Sequence, residues 1–345
     1  MAVYRFFAPE AVHSKSLVHP VFLSFRGCPV RCVFCAQELQ SGQGGRTMAE
    51  TLAGLDLELS RVEAEGRRAR ELAFYGGTFT MLPRAEQFAY LELAAKYRAK
   101  GVVTKIRAST RPDAVPLEHL AALRRSGLDM LELGVQSFCG GALAASERGY
   151  GEEAARIACT MVKDAGLELG IQLMPGMPGM SEEDFRLDIA ATVAATPATL
   201  RLYPCLVLAG TRLAARYSTG RFAPWSLEKV LPLLVEAQLA AWKAHIRVIR
   251  IGLAPQMELD SGGIVAGPVH PALGSMVRGR ALFQYVSEQT AIYGIPVGRL
   301  ALPRYFQGEF WGHKGELKDS YAAMGLTGKN VTWHDEEYCE CETAL

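Results

Sequence analysis

The feature that most constrains this sequence is a regular alternation of strand-like and helix-like segments between about residues 20 and 205. Six apolar runs have the length and composition of buried strands, and they lie at 21–25, 71–75, 102–109, 130–136, 167–174 and 199–205. Segments with apolar residues at helical spacing separate them, at 47–65, 83–99, 116–125, about 151–165 and 181–195. Strands that alternate with helices in this way predict a parallel sheet.

The position of the unusual segments favours one kind of parallel sheet. Nearly every glycine-rich or polar departure from the pattern falls just after a predicted strand, at the carboxyl end where barrel enzymes place their chemistry. We therefore predict an α/β fold with a partial (β/α)6 TIM-like barrel. A full eight-unit barrel and a doubly wound sheet are the alternatives.

The rhythm of the sequence changes after about residue 206. We predict two domains, a core barrel with an irregular lead-in at 1–206 and a C-terminal α+β extension at 207–345 that closes one side of the barrel. The extension is expected to hold a helix through about 244, a strand at 245–251 and a helix near 271–288. The stretches at 41–45 and 252–268 are rich in glycine, and the first is expected to be flexible.

Composition limits the classes of function. The 37 basic and 36 acidic residues give a net charge of +1, so the chain carries no global nucleic-acid footprint, although a local basic groove stays open. The eight cysteines are mostly scattered, which is not a disulfide framework. No signal-peptide pattern or apolar run of transmembrane length is present. We expect a cytoplasmic protein with no membrane association.

The sequence RGCPVRCVFCAQ at 26–37 carries the clearest chemical signal. Cys28, Cys32 and Cys35 form a C-x3-C-x2-C array directly after a predicted strand. Thiolates are soft ligands that suit iron–sulfur clusters and zinc, and a structural site normally uses four protein ligands. Three ligands therefore predict a [4Fe–4S] cluster with one iron free. A zinc knuckle completed by a distant residue, or a scaffold that holds a metal without turnover, is the alternative.

This array, with Phe34 just before the last cysteine, resembles the signature of radical S-adenosylmethionine (SAM) enzymes. The resemblance implies that the free iron chelates the amino and carboxylate groups of SAM. Reductive cleavage then gives a 5′-deoxyadenosyl radical that abstracts a hydrogen atom from the substrate. It also implies an electron-donating partner, a reductase such as a flavodoxin or a ferredoxin.

Further motifs match the superfamily in the same order along the chain. The segment YGGTFT follows the second strand, STRPD the third, LELGVQSF contains the fourth, ERGY precedes a helix, and GIQLMPGMPG ends the fifth strand. The resemblance assigns to SAM binding the residues Phe34, Gly76, Gly77, Thr78, Ser109, Gln136, Arg148, Gln172 and Met174. Arginine suits a carboxylate because its guanidinium donates two parallel hydrogen bonds.

The segments at 201–211 and 217–228 resemble one branch of the superfamily, which includes the catalytic subunit of elongator. That branch implies modification of a tRNA base. Two departures stand against a simple transfer of its chemistry: the elongator subunit has a longer gap between its first two cysteines, and it carries an acetyltransferase domain for which this chain has no room. Radical SAM chemistry on a small metabolite or a tetrapyrrole is the rival interpretation.

Two smaller sets of residues complete the candidates. Tyr203 and Cys205 end the sixth strand and are predicted to face the substrate, where either could relay a hydrogen atom or an electron. Cys205 could equally be a small buried hydrophobe. Near the C-terminus, His334, Cys339 and Cys341 could bind a second metal, but we expect a mobile acidic tail.

Overall fold

The computed structural model describes residues 2–10, 17–37, 47–253, 262–292 and 297–343. The predicted flexible stretch at 41–45 lies outside these residues, as does much of the glycine-rich stretch at 252–268. The strands, in chain order, are β1 (Val3–Phe7), β2 (Leu17–Phe22), β3 (Arg70–Tyr75), β4 (Val103–Thr110), β5 (Met130–Gln136), β6 (Glu168–Leu173), β7 (Thr199–Leu202), β8 (Val207–Leu208), β9 (Arg247–Ile251), β10 (Ile264–Ala266), β11 (Val297–Pro303), β12 (Val331–His334) and β13 (Tyr338–Thr343).

The helices surround these strands and follow most of the predicted periodicity. They are α1 (Met48–Ala64), α2 (Arg84–Ala99), α3 (Leu117–Arg125), α4 (Gly140–Ala145), α5 (Glu152–Asp164), α6 (Glu182–Ala195), α7 (Arg212–Ser218), α8 (Leu227–Lys243), α9 (Leu273–Ala291) and α10 (Lys318–Ala323). Capping boxes begin α1 at Thr47 and α6 at Ser181. None of the described helices is both long and apolar enough to cross a membrane.

The central sheet is parallel and contains seven strands in the order β2-β3-β4-β5-β6-β7-β9. The predicted α/β partial barrel is therefore confirmed, and the sheet has one strand more than the six that were counted. Strand β9 comes from beyond residue 206 and pairs with β7, with Thr199 opposite Arg247. The sheet thus continues past the predicted boundary at residue 206, and the division into two domains stays a prediction.

Two strands end earlier than predicted, for local reasons. Strand β2 runs from Leu17 to Phe22 rather than over 21–25, and Pro20 is tolerated in it because β2 is an edge strand that pairs only with β3. Beyond β2 the chain turns at Phe25, which has a positive φ of 55°. Strand β7 ends at Leu202, shortly before Pro204, which has no N–H to donate to a neighbouring strand.

The two ends of the chain meet in a four-stranded sheet of order β1-β13-β11-β12. The predicted mobile tail is wrong, because β13 pairs with β1 on one side and β11 on the other. Its side chains alternate, so that Cys339 and Cys341 are buried while Glu340 and Glu342 face outward. The predicted irregular lead-in is likewise partly wrong, since it contains β1.

Candidate active site

The loop between β2 and α1 brings the three cysteines to the carboxyl end of the sheet. Gly27 has a φ of +71°, and a Cβ atom there would lie 2.4 Å from the carbonyl oxygen of Thr78. Gly77 has a φ of +52°, and its Cβ would lie 2.2 Å from the carbonyl oxygen of Arg26. Only glycine fits both positions, because the cysteine loop and the loop after β3 pack backbone against backbone.

Cys28, Cys32 and Cys35 line one cavity of about 580 Å³ between this loop and the inner face of the sheet. All three thiols are free of disulfide bonds. The other predicted site residues on the cavity wall are Phe34, Gly76, Gly77, Ser109, Gln136, Arg148, Gln172, Met174 and Tyr203. The structure therefore brings together the cysteines and most of the residues that the resemblance assigned to SAM.

The surroundings of Cys28 and Cys35 raise the pKa of both thiols. Burial raises the pKa of Cys28, whose Sγ lies 3.3 Å from Thr78 Oγ1. Burial and then the neighbouring thiols Cys32 and Cys28 raise the pKa of Cys35 to about 12. Because thiolate ligands must lose their protons to bind a metal, a cationic metal group in this cavity would oppose these effects. The set of three soft sulfur donors beside one cavity fits a [4Fe–4S] cluster.

Arg148 occupies the cavity wall in contact with one of the cysteines. Its Nη1 donates to Cys32 Sγ at 3.0 Å, and its Nη2 donates to the carbonyl oxygen of Gly134 at 2.6 Å. The hydroxyl of Tyr150, a residue that sequence reasoning missed, accepts from Arg148 Nε and Nη2. The guanidinium is thus held by protein groups on all of its nitrogens, and its predicted contact with the SAM carboxylate stays a prediction.

Three glutamine side chains on the cavity wall make hydrogen bonds to each other or to the backbone near the cysteines. Gln172 Nε2 donates to Gln136 Oε1 at 3.1 Å, and Gln136 itself has a φ of +65° at the end of β5. Gln37, which was not predicted, accepts hydrogen bonds through Oε1 from the backbone N–H groups of Phe25 and Gly77. Gln37 therefore ties the cysteine loop to the paired glycines.

Two predicted residues do not line the cavity. Thr78 is buried behind Cys28, so its position favours support of that cysteine over contact with a ligand. Cys205 is also buried, and burial raises its pKa to about 12. The structure places Cys205 in the core, as a small buried hydrophobe, whereas Tyr203 faces the cavity.

Comparisons with known proteins identify the family of this chain. The Radical SAM superfamily model matches residues 22–190, and the Radical SAM C-terminal domain model matches residues 197–281. The chain belongs to the radical SAM superfamily. The first match contains the cysteine array and the paired glycines, and the second includes β9.

Curated relatives match less than two thirds of the chain. A tRNA uridine(34) acetyltransferase from Methanocaldococcus infernus is 32% identical over 49% of this chain and 31% of its own length. Elongator complex protein 3 from Mus musculus is 28% identical over 57% of this chain and 40% of its own length. The solved structure of archaeal Elp3 from Methanocaldococcus infernus has a TM-score of 0.58 at 23% identity, and the match covers 80% of this chain and 64% of that one. This likeness confirms the half-barrel fold.

The radical SAM cavity also contains a set of charged side chains that sequence reasoning missed. The part of the wall that the strands themselves form includes Glu71, Arg107, Glu132 and Arg201. They occupy buried strands in which every second residue faces the interior. Charged residues at such positions are unusual, and they were the sequence signal that could have revealed this set.

The tail cysteines do not extend this site. Cys339 and Cys341 lie in the sheet formed by the two chain ends, and burial raises the pKa of both thiols. In the part of the chain that the structure describes, no group of three His, Cys, Asp or Glu side chains is arranged around a position for a single metal ion.

Proposed function

We propose that this protein is a radical SAM enzyme in which Cys28, Cys32 and Cys35 hold a [4Fe–4S] cluster. The observation that carries the proposal is the convergence of these three thiols and the residues assigned to SAM on one cavity at the carboxyl ends of the strands. When bound, the cluster and SAM supply a 5′-deoxyadenosyl radical that abstracts a hydrogen atom from the substrate. Family membership supports both cofactors.

The chain's own residues position and enclose these groups. Gly76 and Gly77 allow backbone to approach a ligand without a Cβ in the way. Gln136 and Gln172 can both donate and accept hydrogen bonds, which suits a ribose or a methionine carboxylate, and Ser109 offers a hydroxyl. Phe34 and Met174 add apolar surface, which helps to exclude water from a reactive intermediate.

The substrate proposed from the relatives is a tRNA base. The relatives' names concern tRNA uridine and elongator, and the chain spans only 31–40% of the length of the curated relatives cited above. Their whole activity, including any acetyl transfer, is therefore not carried over. A soluble reductase such as a flavodoxin or a ferredoxin is the proposed electron donor. Tyr203 is the remaining candidate for a hydrogen-atom relay, since it faces the cavity.

The decisive experiment is an anaerobic assay for 5′-deoxyadenosine. The protein is reconstituted with iron and sulfide, and SAM and a strong reductant are added with and without cellular tRNA. We expect deoxyadenosine release in the wild type, stimulated by tRNA, and none in Cys32→Ala, which should retain a folded barrel but lose the cluster absorbance.

Two outcomes would contradict parts of the proposal. Cluster absorbance that survives in Cys32→Ala would remove this residue from the ligand set. A loaded wild-type protein that binds SAM but releases no deoxyadenosine under either condition would instead favour a metal-binding scaffold. Release that small-molecule extracts stimulate and tRNA does not would replace tRNA by a small metabolite or a tetrapyrrole.

A further inference from the structure

The lower part of the barrel interior is charged, whereas barrels of this kind are usually filled by branched apolar side chains. Glu71 on β3, Arg107 on β4, Glu132 on β5 and Arg201 on β7 all line the cavity that the cysteines line. Arg247 on β9 joins them at the far edge of the sheet. We call these five side chains the lower layer.

Strand register places two members of the lower layer, Glu132 and Arg247, in one row across the sheet. Glu132 is opposite Gly170, Gly170 is opposite Thr199, and Thr199 is opposite Arg247. A Cβ atom on Gly170 would lie 2.9 Å from both Glu132 Cγ and Thr199 Oγ1, so a larger residue would displace this arrangement. The chain thus makes room for the charged groups within the barrel.

The lower layer contains more arginines than carboxylates and therefore carries a net positive charge. Arg107 Nη1 lies 3.4 Å from carboxylate oxygens of both Glu71 and Glu132, and Arg201 Nε lies 3.0 Å from Glu132. Two carboxylates therefore face these two arginines. Arg247 has no ion pair with any described residue, and it contributes the excess positive charge.

Two phenols above this layer are arranged as donors. Arg201 Nη1 donates to Tyr203 Oη at 2.8 Å, and Arg201 Nη2 donates to Tyr75 Oη. Because arginine can only donate, both phenol oxygens act as acceptors, and their own O–H groups stay available for an acceptor on a ligand. Tyr75 and Tyr203 both line the cavity.

A purely structural role explains this arrangement poorly. Removing ion pairs from water is costly, and apolar residues of similar volume often serve stability as well or better. In addition, Arg107 is 5% exposed, and its Nε has no hydrogen-bond partner among the described residues. An anion that enters the cavity would meet a surplus of guanidinium charge and two hydroxyl donors.

We propose that the lower layer is a subsite for a carboxylate or phosphate group of the substrate, with Arg247 as its main contact. Guanidinium groups bind both kinds of oxyanion through paired, charge-assisted hydrogen bonds. An anion held there would direct the rest of the molecule toward the cysteines and the residues assigned to SAM. This inference rests on the proposed function and names the chemical group by which the substrate would be held.

The test measures anion binding by the reconstituted protein with SAM present. Inorganic phosphate and malonate are titrated separately at constant ionic strength, with chloride as the balancing ion, and dissociation constants are obtained by calorimetry and from the concentration dependence of the melting temperature. Arg247→Gln removes the charge and retains a polar side chain. Arg299→Gln is the matched control, because Arg299 lies on β11 with a half-exposed side chain paired with Glu342.

We expect saturable binding by the wild type and Arg299→Gln, and at least tenfold weaker binding by Arg247→Gln. Tighter binding of phosphate would indicate a phosphate ester as substrate, and tighter binding of malonate a carboxylate. Equal affinities in Arg247→Gln and the wild type, or no saturable binding of either anion by the wild type, would overturn the subsite. Since the assay needs no turnover, anion binding without deoxyadenosine release would count against the proposed function alone.

Discussion

At the scale of single residues, the contact between Arg148 and Cys32 is the most informative part of the site. A sulfur that accepts an N–H bond from a guanidinium carries negative charge more easily, and hydrogen bonds to ligand sulfurs are among the factors that set the potential of an iron–sulfur cluster. Arg148 is buried and donates to Cys32 Sγ from 3.0 Å. It is therefore placed to adjust the potential of a cluster that Cys32 would hold.

Arg148→Ala is expected to lower the midpoint potential of the reconstituted cluster. Removal of the positive charge and the N–H···S bond disfavours the reduced state, which carries the additional negative charge. SAM binding should weaken by about 1.5–3 kcal/mol if a charge-assisted hydrogen bond to SAM is also lost. A redox titration followed by electron paramagnetic resonance and equilibrium dialysis of SAM measure the two effects.

The control for this variant is Arg125→Ala, since Arg125 is exposed in the last turn of α3. The control should leave both quantities unchanged. An unaltered potential would show that the contact with Cys32 is not kept once the cluster is bound. An unaltered SAM affinity would remove Arg148 from the SAM site.

Short sequence motifs identified some of the site residues but not others. Cys28 to Cys35 and the pair Gly76–Gly77 were found because each motif lies within a few consecutive residues. Gln37 was missed because its partner Gly77 lies in another loop, 40 residues further along the chain. Glu132 was missed because its partner Arg201 lies on another strand, and strand register fixes which side chains meet. Sequence spacing alone does not supply that register.

At the scale of elements, the buried strands and amphipathic helices were predictable because each carries its own period. The exception is β9, which was recognised as a strand but was not expected to join the central sheet. A long connection with α7 and α8 separates it from β7, so its place depended on packing rather than on local sequence. The contact between α6 and the loop after β5 likewise depends on packing between elements that are distant in the sequence.

Asp188 of α6 fixes that contact and should make folding stability depend on pH. Its Oδ1 accepts from the backbone N–H of Phe138 at 2.6 Å, and burial raises its pKa to about 7. In the unfolded chain the pKa of an aspartate is about 3.9. The folded protein therefore holds a proton that the unfolded chain loses between about pH 4 and 7, and stability must fall as pH rises through this window.

Asp188→Asn should remove this dependence, because the amide has no proton to lose and keeps an oxygen for Phe138. Relative to the variant, the wild type should lose on the order of 3 kcal/mol of unfolding free energy between pH 4 and pH 8. Urea unfolding at a series of pH values gives the difference. Asp164→Asn, at an exposed position at the end of α5, should follow the wild-type curve. Parallel curves for Asp188→Asn and the wild type would refute the assignment.

At the scale of the whole molecule, the pairing of the chain ends was the least predictable feature. The sequence HDEEYCECE is acidic and short, and its four glutamates suggested solvent on all sides. In the fold two of them, Glu340 and Glu342, pair with arginines of neighbouring strands: Arg5 Nε lies 2.7 Å from Glu340, and Arg299 Nη1 lies 3.4 Å from Glu342. One of the two strands that pair with β13 is β1, which lies more than 300 residues away, and so distant a partner leaves little local signal.

Deletion of residues 336–345 should therefore destabilise the protein, although it removes only an acidic segment. Strand β13 lies between β1 and β11, so each would lose a ladder partner, although β11 would still pair with β12. The apolar surface that covers Cys339 and Cys341 would become exposed. We expect the melting temperature to fall by at least about 5 °C in differential scanning calorimetry, in line with a loss of a few kcal/mol. Deletion of residues 344–345 alone is the control and should have little effect, because β13 ends at Thr343. If the longer deletion melted like the control, β13 would contribute nothing to the fold and the tail would be as mobile as its composition suggested.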